Sequence, residues 1–317
     1  MVKIAVAGGS GQVAREIIDA LVVAKKHDVT ILSRTDTPSI DIRHGIHWRS
    51  VDYNDKKGLV GALEGIHTVL SFVQILSDLG QMSQKNLIDA AISAGVRRFA
   101  PSEYGSKETV EMAWWKGKEE IREYLKQVNE KDNVLEYTLF QPGLFLDYLA
   151  FPHKTARHVD PLQSVFDVQN SRAIVLDGHY DPVITLTTVA DLAAIVARAV
   201  EYQGVWPTTG GIRGNRLKFS QIVEIGSRVR GRPFTVDKAT VEDLEAGTLR
   251  TSWRLEAVHR AVSEDQSSAL LKGVLIGTLL SSLKGAWDIT DEMNQLFPDY
   301  EFTSAEAFLS DVWKGKP

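Results

Sequence analysis

The chain has 317 residues, 44% of them hydrophobic, with no cysteine and 36 basic against 41 acidic residues for a net charge of -5. Such a length buries a substantial core, and interspersed charges leave no basic face of the kind that binds nucleic acid. Without cysteine there is no disulfide, thiol nucleophile or thiolate metal site, so redox chemistry needs a borrowed cofactor and a reducing compartment is expected.

The N-terminus enters an apolar strand, Lys3–Ala7, without the cationic and then apolar run of a signal peptide, so a cytoplasmic protein is expected. Further apolar runs predict buried strands at Val29–Ser33, His47–Val51, Thr68–Val73, Arg98–Pro101 and Leu135–Gln141. Helical periodicity fills most gaps: a helix starts near Gln12, another covers Gln81–Ala94 and stops at Gly95, and a third covers Lys118–Asn129. This alternation specifies an α/β fold, a doubly wound parallel sheet of the Rossmann type.

After Gly143 the alternation lapses in "GLFLDYLAFPHKTARHVDPLQSVFD", an irregular stretch suited to a pocket wall. A strand and helix return at Val183–Glu201, and a second such unit follows with Ser220 as its expected helix cap. The expected division is a nucleotide-binding domain over residues 1–150, rejoined by residues 183–201, and a smaller interleaved α/β substrate-binding cap over 151–317. The late segment "SSALLKGVLIGTLLSSLKGAW" is interrupted by Lys272 and Lys284, too short to span a bilayer, which takes about 20 apolar residues. It predicts a helix buried within the chain or at a dimer contact, so monomer and homodimer both stay open, with no membrane partner.

"GGSGQVA" lies between the first strand and its helix. There Gly8 permits the tight turn, Gly11 removes a Cβ from the path of a ligand, and the helix end offers N–H groups and a positive dipole to a pyrophosphate. Gly9, Ser10, Gln12 and Val13 complete the predicted phosphate contact. The loop has no Gly-Lys-Ser/Thr ending for a P-loop, and Gln12 stands where a nucleophile elbow needs glycine. The second strand ends on Ser33-Arg34 where an NAD site would carry a carboxylate. A guanidinium there suits a 2′-phosphate, so NADPH is the expected cofactor, while Asp36 keeps NAD open. Asp52 and the Ser71-Phe72-Val73 run are candidates by their place at strand carboxyl ends.

The stretches "AVAGGSGQVAREI", "LSRT", "VRRFAPSEYGS", "KGKEEIREYL" and "YTLFQPGLFLDYL" together resemble the isoflavone reductase-like, NmrA-like branch of the atypical short-chain dehydrogenases. The closing "WDITDEMNQLFPDYEFTSAEAFL" is similar to fungal-type members, and the likeness covers nearly the whole chain. It implies an NADPH-dependent reductase of a small-molecule substrate, or a non-catalytic NADP(H)-binding sensor that meets a protein partner. Non-redox isomerisation or dehydration on the same fold also stays open.

By the same resemblance Lys118, four residues before Arg122, binds the nicotinamide ribose and assists proton transfer, with Lys116 as the neighbour that could be mistaken for it. Independently, hydride transfer develops negative charge that a general acid must meet, and lysine serves when burial lowers its pKa. The resemblance also places Ser102, Glu103 and Tyr104 near the nicotinamide, with Tyr104 as a reserve proton donor. Gln141, Pro142, Gly143 and Phe145 would approach the cofactor ring. Trp114, Trp115, Tyr148, Phe151 and His153 are candidates for the substrate pocket, whose aromatics suggest an aromatic or polyketide-like acceptor. Tyr53 with Lys57 is the one Tyr-x-x-x-Lys in the chain and is taken as chance. The closest histidine pairs, His44 with His47 and His153 with His158, match no metal-ligand pattern, so no metal is expected.

Overall fold

The computed structural model describes residues 2–23, 26–38, 45–178, 181–253 and 264–316. Its first half alternates strand and helix: β1 (Val2–Ala7), α1 (Gln12–Val23), β2 (His27–Ser33), β3 (Ile46–Ser50), α2 (Lys56–Leu63), β4 (Thr68–Ser71), α3 (Met82–Ser93), β5 (Arg98–Ala100), α4 (Lys116–Val128) and β6 (Glu136–Tyr137). Among the described residues these six strands form one parallel sheet in the order β3-β2-β1-β4-β5-β6. The order reverses at β1, so a crevice opens past the carboxyl ends of β1 and β4, where open α/β sheets take their ligands.

The second half contributes β7 (Leu139–Gln141), β8 (Leu144–Phe145), β9 (Phe166–Asp167), β10 (Arg172–Leu176), β11 (Val183–Thr187), α5 (Val189–Glu201), β12 (Thr209–Gly211) and β13 (Asn215–Lys218). It continues with α6 (Phe219–Arg230), β14 (Thr235–Ala239), α7 (Val241–Glu245), α8 (Glu264–Leu283), α9 (Glu292–Leu296) and α10 (Ala305–Trp313). Small sheets β14-β10-β9 and β13-β11-β8 and the pair β12-β7 organise it.

The apolar strands are explained by burial on both faces. In β1, Ile4 and Val6 pack with Ile17, Ile18 and Leu21 of α1 and with Leu192 and Val196 of α5. Ala5 and Ala7 face the other way, into Leu59 and Leu63 of α2, Leu87 and Ile88 of α3 and Leu125 of α4. Helix α1 buries Ala14, Ile17, Ile18 and Leu21, a spacing that places them on one face. A third cluster, with Phe166, Phe219, Leu309 and Trp313, lies in the second half.

Three expectations change. The run Leu135–Gln141 is not one strand: Glu136–Tyr137 pairs with β5, whereas Leu139–Gln141 pairs with β12, some seventy residues further on. Helix α6 is not capped by Ser220, because Lys218 holds the N-cap and Ser220 sits in the first turn. Both its N–H and its Oγ donate to Asp181, at 3.0 and 2.8 Å, so a distant carboxylate meets the helix end. The run Thr68–Val73 stops at Ser71 as a strand, although Phe72 N–H still donates to Ala7 O at 2.8 Å. The late apolar run forms the body of α8, with Leu275, Leu279 and Leu280 buried in the third cluster. Among the described residues no helix is long and apolar enough to cross a membrane.

Candidate active site

The turn from β1 into α1 is set by close approach. Gly8 has φ +72°, and a Cβ there would lie 2.6 Å from the carbonyl oxygen of Phe72. Its N–H donates to Leu32 O of β2 at 3.2 Å, and its carbonyl accepts from Gly11 N–H at 3.0 Å, so the turn is fastened to β2 and closed on itself. The first N–H groups of α1 have no acceptor within the helix, and its first turn holds no acidic residue. The result is a concave donor surface suited to an anion. Gly9 serves another purpose: its Cβ would fall 2.7 Å from the Ile31 side chain, so the glycine lets the turn pack on β2. Gly8→Ala adds both a strained φ and a backbone clash, and is expected to cost about 1–3 kcal/mol, a drop of several degrees in Tm by calorimetry.

From this turn a cavity of about 1150 Å³ extends along the carboxyl ends of the strands. Ser10, Gly11, Gln12 and Val13 line its floor and the exposed Arg34 stands at its β2 side. Phe72 and Val73 come from the end of β4, and Ser102, Glu103 and Tyr104 from the end of β5. Trp114, Trp115, Lys118 and Phe151 form the remaining wall expected from the sequence. Tyr53 lines it too, with burial pushing its pKa up to about 12. Lys57 is exposed and outside the lining.

Lys118 is a buried lysine in the lining of the cavity. It is 3% exposed, its Nζ donates to Glu103 O at 2.5 Å, and the same atom lies 3.5 Å from the ring centroid of Trp115. Burial lowers its pKa to about 7, opposed by the Glu103 charge and assisted by the Arg122 charge. Room for this stack comes from Gly105, where a Cβ would lie 2.7 Å from Trp115 Cη2 and 2.9 Å from Lys118 Nζ.

Beneath it Arg122 grips Glu103 with two parallel bonds, Nε to Oε1 at 3.0 Å and Nη2 to Oε2 at 2.6 Å, in a site where Glu103 is 2% exposed. Arg122 Nη1 also donates to Lys107 O and to Glu119 Oε1. Tyr104 adopts φ 36° and stacks on Phe72 at 4.4 Å between centroids. Its hydroxyl is buried with no hydrogen-bond partner among the described residues. Burial pushes its pKa well up, so it stays a donor at ordinary pH.

Other expected site residues lie outside the lining. Asp52 is exposed and accepts from Asn54 N at 2.8 Å. Ser71 is fully buried at the end of β4. Gln141 is buried in β7, Pro142 O accepts from Thr187 Oγ1 at 2.7 Å, and Gly143, φ +77°, abuts Thr185 O. Phe145 packs edge-on against Tyr148 at 5.5 Å in the α1–α5 core, and His153 meets the Trp313 ring at 5.1 Å. Burial, Lys316 and Arg230 lower the His153 pKa. Among the described residues no cluster of three or more His, Cys, Asp or Glu is placed to hold a metal ion, and His44 lies outside them.

The sequence reading missed Ile75, Leu76, Asp78, Lys154, Asp160 and Leu162 in the cavity wall. It also missed the Glu103–Arg122 pair, although Lys118, Ile121, Arg122 and Leu125 fall on one helical face by spacing alone.

Residues 2–309 match the NmrA-like family. Over 302 residues the chain is 29% identical to the oxidoreductase BOA1 of Botryotinia fuckeliana (strain B05.10), covering 94% of this chain and 95% of that protein. It is 26% identical over 338 residues to the oxidoreductase swnN of Metarhizium robertsii, covering 99% and 98%. Its fold matches an NADPH-dependent quinone oxidoreductase from Escherichia coli complexed with NADPH, with a TM-score of 0.69 at 19% identity, over 98% of this chain and all of that one. An isoflavone reductase matches with a TM-score of 0.69 at 19% identity, over 98% of each chain. With 308 consecutive residues spanned by one family, from strand β1 to helix α10, the chain belongs to the NmrA-like family.

Proposed function

We propose that this protein is an NADPH-dependent reductase of a small, apolar, aromatic or polyketide-like acceptor, with Lys118 handling the proton. The observation that carries the reading is one cavity holding three things: the glycine turn, an arginine at the β2 tip, and a buried lysine whose pKa is near 7. The residues fit a dinucleotide. A Cβ at Gly8 would strike Phe72 O, Arg34 is exposed where a 2′-phosphate would lie, and among the described residues the buried Tyr104 hydroxyl has no hydrogen-bond partner. The relatives named oxidoreductases favour the same class of reaction, and the matching fold complexed with NADPH favours the same cofactor.

When bound, the reduced nicotinamide supplies a hydride. The α1 amides and Ser10 hold the pyrophosphate, and Arg34 holds the 2′-phosphate through charge-assisted bonds. Trp114, Trp115, Phe151 and Leu162 exclude water and favour a flat apolar acceptor. Lys118 Nζ donates to the acceptor atom on which negative charge develops, and Tyr104 Oη offers a second donor.

Calorimetric titration with NADPH, NADP+, NADH and NAD+ tests this. NADPH is expected to bind more tightly than NADH, and Arg34→Ala is expected to weaken NADPH alone by about 10–100-fold, as the loss of hydrogen bonds to a charged group implies. Equal binding of the two reduced nucleotides by the wild-type protein would overturn the NADPH assignment. Binding of all nucleotides unchanged in Arg34→Ala would remove Arg34 from the site.

A further inference from the structure

The cavity carries three cationic side chains among the described residues that line it: Arg34, Lys118 and Lys154. Arg34 stands at the tip of β2 and Lys118 on α4, which leaves Lys154 as the cation beside the N-terminus of α1. The glycine turn "GGSGQVA" has no cation of its own. Lys154 Nζ donates to Asp160 Oδ1 at 2.8 Å and to His158 O at 3.2 Å. The other oxygen of that carboxylate accepts from Gln12 Nε2 at 2.6 Å, and Asp160 N–H donates back to Gln12 Oε1 at 3.2 Å. One carboxylate therefore separates the Lys154 amine from the first residue of α1.

The segment bearing these residues is fastened down along the helix. Glu16 accepts from the N–H groups of His158 and Val159, and Asp19 accepts from Arg157 Nη1 and His158 Nε2 at 2.7 and 2.8 Å. On its other side Thr155 Oγ1 donates to Asp147 Oδ1 at 2.7 Å. Fastening of this kind orders the segment before any ligand arrives. A pyrophosphate at the α1 terminus would bring negative charge against Asp160 and within the sweep of the flexible Lys154 stem.

We infer that Lys154 is a pyrophosphate-binding residue and that Asp160 competes with the ligand for it, holding the amine beside α1 until phosphate displaces the carboxylate. This rests on the dinucleotide reading above. Lys154 would then strengthen binding of NADPH and NADH alike, because the pyrophosphate is common to both, whereas Arg34 distinguishes them. Asp160 would oppose both.

The test is titration of Lys154→Gln and Asp160→Asn proteins with NADPH and NADH at two salt concentrations, with melting curves as a fold check. Lys154→Gln is expected to weaken both nucleotides by about five- to tenfold and to flatten the salt dependence. Its Tm should stay near that of the wild type, since an exposed ion pair adds little stability. Asp160→Asn keeps a side-chain acceptor for Gln12 and removes the charge, so both nucleotides should bind about two- to fivefold more tightly. Weaker binding in Asp160→Asn would show that Asp160 acts as a latch on α1 and overturn the proposal. Loss confined to NADPH in Lys154→Gln would place the amine at the 2′-phosphate and overturn it equally. Unchanged binding in Lys154→Gln, with tight binding by the wild type, sinks the inference alone, while failure of the wild type to bind either nucleotide sinks the dinucleotide reading itself.

Discussion

Lys118→Met is expected to lower turnover by about 10²–10⁴-fold, the contribution of a positioned general acid, while NADPH still binds. The same substitution should raise thermal stability, a pairing of effects that follows from one buried amine. Lys118 is 3% exposed, and burial lowers its pKa to about 7 from an ordinary 10.5. Below pH 7 the amine is charged in both folded and unfolded chains, and the folded state bears the full cost of burying that charge. Between pH 7 and 10.5 the unfolded chain holds one proton more than the folded one, so this contribution to stability rises with pH. The Met variant removes the cost and should melt a few degrees higher at pH 6, with the gain shrinking toward pH 9.

Turnover has the opposite dependence. An acid must hold its proton, so wild-type activity should fall above pH 7 by about tenfold per unit as the amine empties, and that limb should vanish from the residual activity of the variant. Full turnover in Lys118→Met, with an acceptor found by screening, would end the assignment.

How far the sequence could carry this site depends on which contacts were local. The glycine turn and the alternation of strands were legible because each is written in consecutive residues: two faces of β1 filled by Ile4, Val6, Ala5 and Ala7, and a turn that tolerates no Cβ at Gly8. The break at Thr138 was not, since the strand partner of Leu139–Gln141 is Thr209–Gly211. That pairing buries Gln141 in β7, and the residues after it, through Phe145, also lie outside the cavity lining. Lys154 and Asp160 were invisible for the same reason, because their place is set by bonds to Gln12, Glu16 and Asp19 across nearly 150 residues. Lys118 was legible as a residue, but its altered pKa was not, because burial is a property of the packed wall.

The wall beneath Lys118 is held by the Glu103–Arg122 pair, and breaking it should have the largest effect on stability of any change near the site. Arg122→Met leaves the Glu103 carboxylate, 2% exposed, without its two guanidinium bonds of 3.0 and 2.6 Å. Removing one partner of a buried pair costs about 3–5 kcal/mol, because the charge that remains is buried without the guanidinium that compensated it. Glu103→Gln combined with Arg122→Met leaves a neutral amide in place of a stranded charge, so the double variant should recover part of the loss, a coupling that a double-mutant cycle measures directly.

Stability alone would not tell a scaffold from a residue that tunes the acid, but Lys118 titration does. The Arg122 charge lowers the Lys118 pKa and the Glu103 charge raises it. With Arg122 gone the lowering influence is lost while that of Glu103 remains, so the alkaline limb of turnover in Arg122→Met should shift upward by a measurable fraction of a pH unit. In the double variant both charges are absent, so the limb should return toward the wild-type position. A limb that stays fixed in both variants, while stability falls as expected, would confine Arg122 to holding the wall and leave the desolvation of Lys118 as the sole source of its low pKa.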